Sequence, residues 1–107
     1  MKIVRTKRYS RDLKRLGADA ADVQALETAI ADNPQIGDVI PGLGGIRKVR
    51  FGFGGRGKRG GGRAIYFLML EDETAVMLFA YAKNEKEDLT PAERQAALEI
   101  MKGFTDG

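Results

Sequence analysis

The sequence contains no cysteine, no histidine and no tryptophan. Without cysteine there is no disulfide framework, no thiolate nucleophile and no iron–sulfur site. Without histidine as well, the usual zinc sites and any triad built on imidazole are excluded. Long apolar runs are missing too. Ala64–Leu70 and Ala75–Ala82 are far shorter than the roughly 20 residues a membrane helix needs. The opening MKIVRTKRYSRD lacks the apolar core of a signal peptide, so a cytoplasmic location and no membrane partner are expected. What remains is a chain of 107 residues, 43% hydrophobic and 31% charged. That is the profile of one soluble globular domain (1–107), near the small end of what can bury its own core.

The net charge of +3 conceals a strong segregation. Residues 1–16 carry +6, residues 17–40 carry −5, residues 41–66 carry +7 with no acid at all, and residues 67–107 carry −5. A purely basic middle on an otherwise balanced chain points to one anion-binding face, for which nucleic acid is the first candidate and a merely solubilising surface the alternative.

Local patterns divide the chain into elements. Lys2–Arg5 is short and β-branched, a first strand. Thr6 can cap a helix in which Tyr9, Leu13 and Leu16 recur at helical spacing, with Gly17 as its stop. Asp19 opens a second helix with Val23, Leu26 and Ile30 on one side, and Asn33-Pro34 ends it. The short link between the two predicts an antiparallel helical hairpin. A minor strand can lie near Ile36–Ile40. Ile46–Phe53 alternates as a strand, and Arg63–Leu70 and Thr74–Ala82 read as buried strands joined at Glu71-Asp72-Glu73. Thr90-Pro91-Ala92-Glu93 is a capping box with proline at the first helical position, followed by Ala97, Leu98, Met101 and Phe104 on one stripe. The expected class is α+β: a helical hairpin packed on an antiparallel sheet of four to five strands, with a carboxy-terminal helix and one sheet face left open.

Ten of the fourteen glycines fall between Gly42 and Gly62, and Gly54–Gly62 predicts an irregular basic loop. Gly52, Gly57 and Lys58 satisfy the spacing of a phosphate-binding loop, but Arg59 stands where Ser or Thr would hold magnesium and no parallel βαβ unit surrounds it. Arg59-Gly60-Gly61 also resembles an arginine–glycine RNA-binding box, in a single copy. The sharper constellation is Lys48, Arg50 and Arg63. Residues i and i+2 of a strand project from one face about 7 Å apart, near the spacing of successive phosphates. Clustered fixed cations attract an anion, and Lys83, ending the next strand, can line the same groove. Arg47, Arg56, Lys58 and Arg59 are the accompanying candidates for RNA binding. Tyr66 and Tyr81 read as core aromatics with hydroxyls satisfied at the rim. The basic helix face of Lys7, Arg8, Arg11, Lys14 and Arg15 can extend an RNA footprint or receive an acidic partner. RNA cleavage suits a chain with neither imidazole nor thiol. The substrate's own 2′-hydroxyl is the nucleophile, and the protein must orient it, stabilise charge and assist proton transfer.

The run GLGGIRKVRFGFGGRGKRGGGRAIY at 42–66, followed by LFAYAKNEKEDLTPAE at 78–93, resembles the RelE/HigB family of bacterial type II toxin–antitoxin toxins, the HigB branch most closely. The resemblance spans the whole chain. It implies a ribosome-dependent mRNA endonuclease that cuts the codon in the ribosomal A site, needs no cofactor or metal, and is neutralised by a cognate antitoxin. On that basis Lys48, Arg50 and Arg63 hold and polarise the scissile phosphate, Lys48 is the candidate for proton transfer, and Lys83 matches a basic position at the end of the following strand. Asn84 stands where related toxins can carry arginine, and Leu89-Thr90 where some carry a tyrosine. The related ParE toxins share the scaffold and inhibit DNA gyrase instead, so a non-catalytic inhibitor is the rival expectation. A simple RNA-binding module is the third.

Overall fold

The computed structural model describes residues 1–54 and 61–105. Five strands and three helices follow one another as β1 (Lys2–Arg5), α1 (Lys7–Leu16), α2 (Ala20–Asp32), β2 (Asp38–Val39), β3 (Arg47–Phe51), β4 (Gly62–Met69), β5 (Thr74–Ala82) and α3 (Pro91–Thr105). The strands form one sheet in the order β1-β5-β4-β3-β2. The four strands from β2 to β5 pair antiparallel, as expected. β1 joins them parallel to β5, which makes the sheet mixed. No local pattern could show this, because the pairing joins residues some seventy positions apart.

The helix ends follow local chemistry. Thr6 accepts the Tyr9 N–H, and Gly17 closes α1 in the left-handed conformation at φ 75°, which glycine adopts without strain. Asp19 and Asp22 form a reciprocal capping box on α2. Thr90 and Glu93 do the same for α3.

Two cores flank the sheet. Tyr9, Leu13, Leu26 and Ile30 of the helical hairpin pack on Val49, Phe51, Tyr66 and Met77. On the opposite face Ala97, Leu98 and Met101 of α3 pack on Ile65, Phe67, Val76 and Phe79, together with Ile40, Leu43 and Ile46. Both faces therefore carry cover, where one open face was expected; only the end of the α3 face around β3 and β4 stays open. β5 lies at the centre and all nine of its residues are buried, which explains its continuous apolar run. Opposite Ile65 and Tyr66 it contains a bulge: Ile65 pairs with Phe79 and Tyr66 with Met77, so Leu78 is an extra residue.

β1 ends at Arg5, opposite Met77, while β5 continues to Ala82. Helix α1 takes over that edge. The buried Asp12 carboxylate accepts the Ala80 N–H at 3.0 Å, and Arg15 donates to the Ala80 carbonyl at 3.3 Å. Asp12 also accepts from Arg8 at 3.2 Å. A second buried carboxylate, Glu27, receives Arg5 at 2.7 and 2.9 Å and the Tyr9 hydroxyl at 2.9 Å, tying β1, α1 and α2 together.

Replacing Asp12 by alanine orphans the buried Ala80 N–H. The expected loss is about 1–3 kcal/mol, read as a fall in thermal midpoint of roughly 4–8 °C per kcal/mol. Arg15→Ala, which removes a half-exposed partner, should cost distinctly less in the same melts.

Candidate nucleic-acid interface

Strand alternation decides which cations meet. On β3, Val49 and Phe51 turn into the helical-hairpin core, so Lys48 and Arg50 project from the α3 face. Register then sets Lys48 beside Ile65 and Asp38, Arg50 beside Arg63, and Arg63 beside Tyr81. The Phe51 ring packs against Gly62, where any Cβ would come within 2.4 Å of it, so the β3–β4 pair closes tightly next to Arg50 and Arg63. Lys83 follows β5 directly; its backbone N–H donates to the Gly61 carbonyl at 3.0 Å, which keeps it near the start of β4.

These side chains line one cleft of about 390 Å³: Lys48, Arg50, Arg63 and Lys83, joined by Lys86 and by two carboxylates, Asp38 and Glu87. Sequence reasoning missed the last three. Lys86 is fixed from outside the cleft, its ammonium donating to Glu93 and lying 5.1 Å from the centre of the Tyr81 ring. The usable signal was the capping box, since a glutamate held at the start of a helix is placed to receive a nearby cation. Glu85 accepts the Ala82 N–H at 2.8 Å and pairs with Arg15, tying the turn that carries Lys83 and Lys86 to α1.

The remaining expected residues fall elsewhere. Arg47 projects from the other face of β3 and donates to the carbonyls of Gly37 at 2.7 Å and Gln35 at 3.4 Å; it clamps the chain before β2 and does not enter the cleft. Arg56, Lys58, Arg59 and most of the glycine-rich loop lie outside the described residues. On α1, Arg8 and Arg15 are engaged by Asp12, Glu93 and Glu85, while Lys7, Arg11 and Lys14 are exposed and make no ion pair among the described residues. Tyr66 is satisfied: its hydroxyl donates to the Pro34 carbonyl at 2.8 Å and accepts the Gly37 N–H at 3.0 Å. The Tyr81 hydroxyl is buried without a hydrogen-bond partner among the described residues. Burial, reinforced by Asp88, pushes it up to about 12, so it stays protonated at neutral pH.

Chemically, the cleft offers five cations on three elements and two carboxylates. A larger hollow of about 690 Å³ between α1, α2 and β1 differs in kind. It is lined by side chains such as Ile3, Leu13 and Val23, and its Arg5 is already paired with Glu27.

The model of a protein family described as the RelE toxin of the RelE/RelB toxin–antitoxin system matches residues 1–106. The chain belongs to the RelE toxin family. Solved structures agree on the fold. An arginine-to-alanine double mutant of the Escherichia coli toxin RelE in the free state has a TM-score of 0.62 at 12% identity, over 94% of this chain and 96% of that one. A conserved hypothetical protein from Helicobacter pylori has a TM-score of 0.58 at 16% identity, over 79% of this chain and 97% of that one. The RelBE2 toxin–antitoxin complex from Mycobacterium tuberculosis has a TM-score of 0.51 at 22% identity, over 76% of this chain and 88% of the matched one. These likenesses show the RelE fold.

Two measurements follow from the geometry. Affinity for a single-stranded oligoribonucleotide should fall with salt at a slope of about −0.7 per neutralised phosphate. Arg63→Ala should make that slope shallower by about one contact, whereas Arg47→Ala leaves it unchanged. The second concerns Glu93. Burial opposes its ionisation, but hydrogen bonds from Lys86 and Thr90 outweigh that and hold its carboxyl below the ordinary value near 4.5. Its stabilising contribution is then complete above that value and lost as pH falls through the lower folded one. In urea melts from pH 7 downward, Glu93→Gln should be less stable at neutral pH and lose less stability below about pH 4.5 than the wild type.

Proposed function

We propose that this RelE-family chain is a single toxin domain acting as a ribosome-dependent mRNA endonuclease. It cuts the codon displayed in the A site and so stops translation in the cytoplasm, and a cognate antitoxin neutralises it. The observation that carries this reading is the convergence of Lys48, Arg50, Arg63, Lys83 and Lys86 on one open cleft. An inhibitor that works by docking alone has no need to gather five cations from three separate elements around only two carboxylates.

In this reading Lys48, Arg50 and Arg63 grip the scissile phosphate, and their charge is best matched when the phosphorane adds a second negative charge. Lys83 and Lys86 hold the neighbouring backbone. The ribosome fixes the codon and brings the 2′-hydroxyl in line with the leaving oxygen, which lets a protein without imidazole perform the reaction. An antitoxin partner is supported by family membership and by the toxin–antitoxin complex among the similar structures.

Primer extension on a message translated in a purified system tests the proposal. Cuts at codon-spaced positions are expected only when ribosomes translate, and Lys48→Ala or Arg63→Ala should reduce them by about 100-fold or more. An intact message, with inhibition of gyrase supercoiling instead, would favour the ParE-type reading.

A further inference from the structure

We propose that Asp38 is the proton acceptor of the cleft, its carboxylate taking the 2′-hydroxyl proton of the nucleotide whose phosphate Lys48, Arg50 and Arg63 hold. This rests on the ribonuclease reading above and gives Lys48 a purely electrostatic part, unlike the role the family resemblance implied for it.

The cleft must contain a group that can take a proton near neutral pH. Arginine cannot, and the Tyr81 hydroxyl is buried and protonated. The carboxylates of the turn after β5 and of α3 are engaged: Glu85 by Arg15 and the Ala82 N–H, Glu93 by Lys86, Arg8 and Thr90. A lysine that grips phosphate does so as the ammonium and has no lone pair to accept a proton, which leaves Asp38 and Glu87 in the cleft wall. Asp38 is the one on a strand. It stands directly across the β2–β3 pair from Lys48, on the same sheet face, and side chains so paired have Cβ atoms about 4.5–5.5 Å apart. It makes no ion pair among the described residues, so its carboxylate is available.

Its backbone is held more firmly than a two-residue edge strand would be alone. Arg47 clamps the Gly37 carbonyl, Tyr66 holds the Gly37 N–H, and Gly37 packs so closely that a Cβ there would lie 2.9 Å from the Tyr66 ring and 3.0 Å from the Lys48 carbonyl oxygen. A negative charge in a polyanion site weakens binding, and no packing requirement explains it, because Asp38 is exposed. An unpaired carboxylate on a firmly held stretch of backbone, beside the phosphate-gripping lysine, is the arrangement that proton abstraction needs.

As the 2′-oxygen attacks phosphorus, its proton passes to Asp38. The bond from phosphorus to the 5′-oxygen breaks, and that oxygen takes a proton from water. A 2′,3′-cyclic phosphate and a 5′-hydroxyl result, and Asp38 returns its proton to solvent. The charged groups facing it are Lys48 and Arg50 on β3, Arg63 on β4, and Lys83, Lys86 and Glu87 after β5.

The test is single-turnover cleavage of an A-site codon on programmed ribosomes by the wild type, Asp38→Asn, Glu87→Gln and Glu99→Gln. Binding is measured separately on a message carrying a 2′-O-methyl group at the scissile nucleotide. Asp38→Asn should cleave about 100-fold more slowly or worse and bind as tightly or more tightly. Glu99→Gln, which removes an exposed charge on α3, should cleave like the wild type. Cleavage by Asp38→Asn within a few-fold of the wild type overturns the proposal, and a slow Glu87→Gln would then move the role to Glu87. A rate loss matched by an equal loss of binding or of thermal stability makes Asp38 structural and also overturns it. A wild type that leaves the codon intact brings down the ribonuclease reading itself, and the role of Asp38 with it.

Discussion

Strand β5 is the axis of the molecule, and past Met77 one of its edges has no strand beside it. A buried backbone edge left open costs free energy at each unpaired group, and it also invites pairing with another chain. The Asp12 carboxylate resolves both problems by binding the Ala80 N–H, with Arg15 on the matching carbonyl. Arg15 reaches on to Glu85, and Glu85 holds the Ala82 N–H. One wall of the cleft thus hangs from α1 through a short run of charge-assisted bonds, and Arg8 and Arg15 of that helix are structural for this reason.

The opposite wall is held by different means. β2 is only two residues long, so the ladder contributes little to its position. Arg47 and Tyr66 reach it from the far face of the sheet and fix the turn between Pro34 and Gly37. The cationic cleft lies between two rigid supports anchored in the helical-hairpin side of the fold. The backbones that carry the five cations are held in this way, so their convergence on one cleft is built into the fold.

Much of this was legible from the amino acids, wherever the cause was local. Thr6, Gly17, Asp19 and Thr90 announced helix ends because caps act within four residues. The apolar stripes of all three helices, and the pairing of Lys48 with Arg50, followed from simple periodicity. The same parity places Arg47 on the wrong face for a ligand, so grouping it with its neighbour ignored information the strand already carried. Other features were not local. The parallel docking of β1 and the role of Asp12 depend on partners about seventy residues away. Asp38 sits on a strand too short to show any period, and Lys86 joins the cleft because Glu93, on the following helix, draws it there. Tyr66 and Tyr81 look alike in sequence, but one hydroxyl meets the Pro34–Gly37 turn and the other meets nothing.

The bulge at Leu78 shifts phase along β5. Upstream of it Met77 faces the helical hairpin; downstream, Phe79 and Tyr81 face α3, and Lys83 continues that alternation toward the cleft. Were the strand to pair straight through, with Leu78 opposite Ile65, every residue beyond it would turn to the other face of the sheet. The lysines would then leave the groove although none of them had been altered. The bulge therefore decides which face of the sheet carries Lys83, and the pairing register of β5 matters to the cleft as much as the charge the strand delivers.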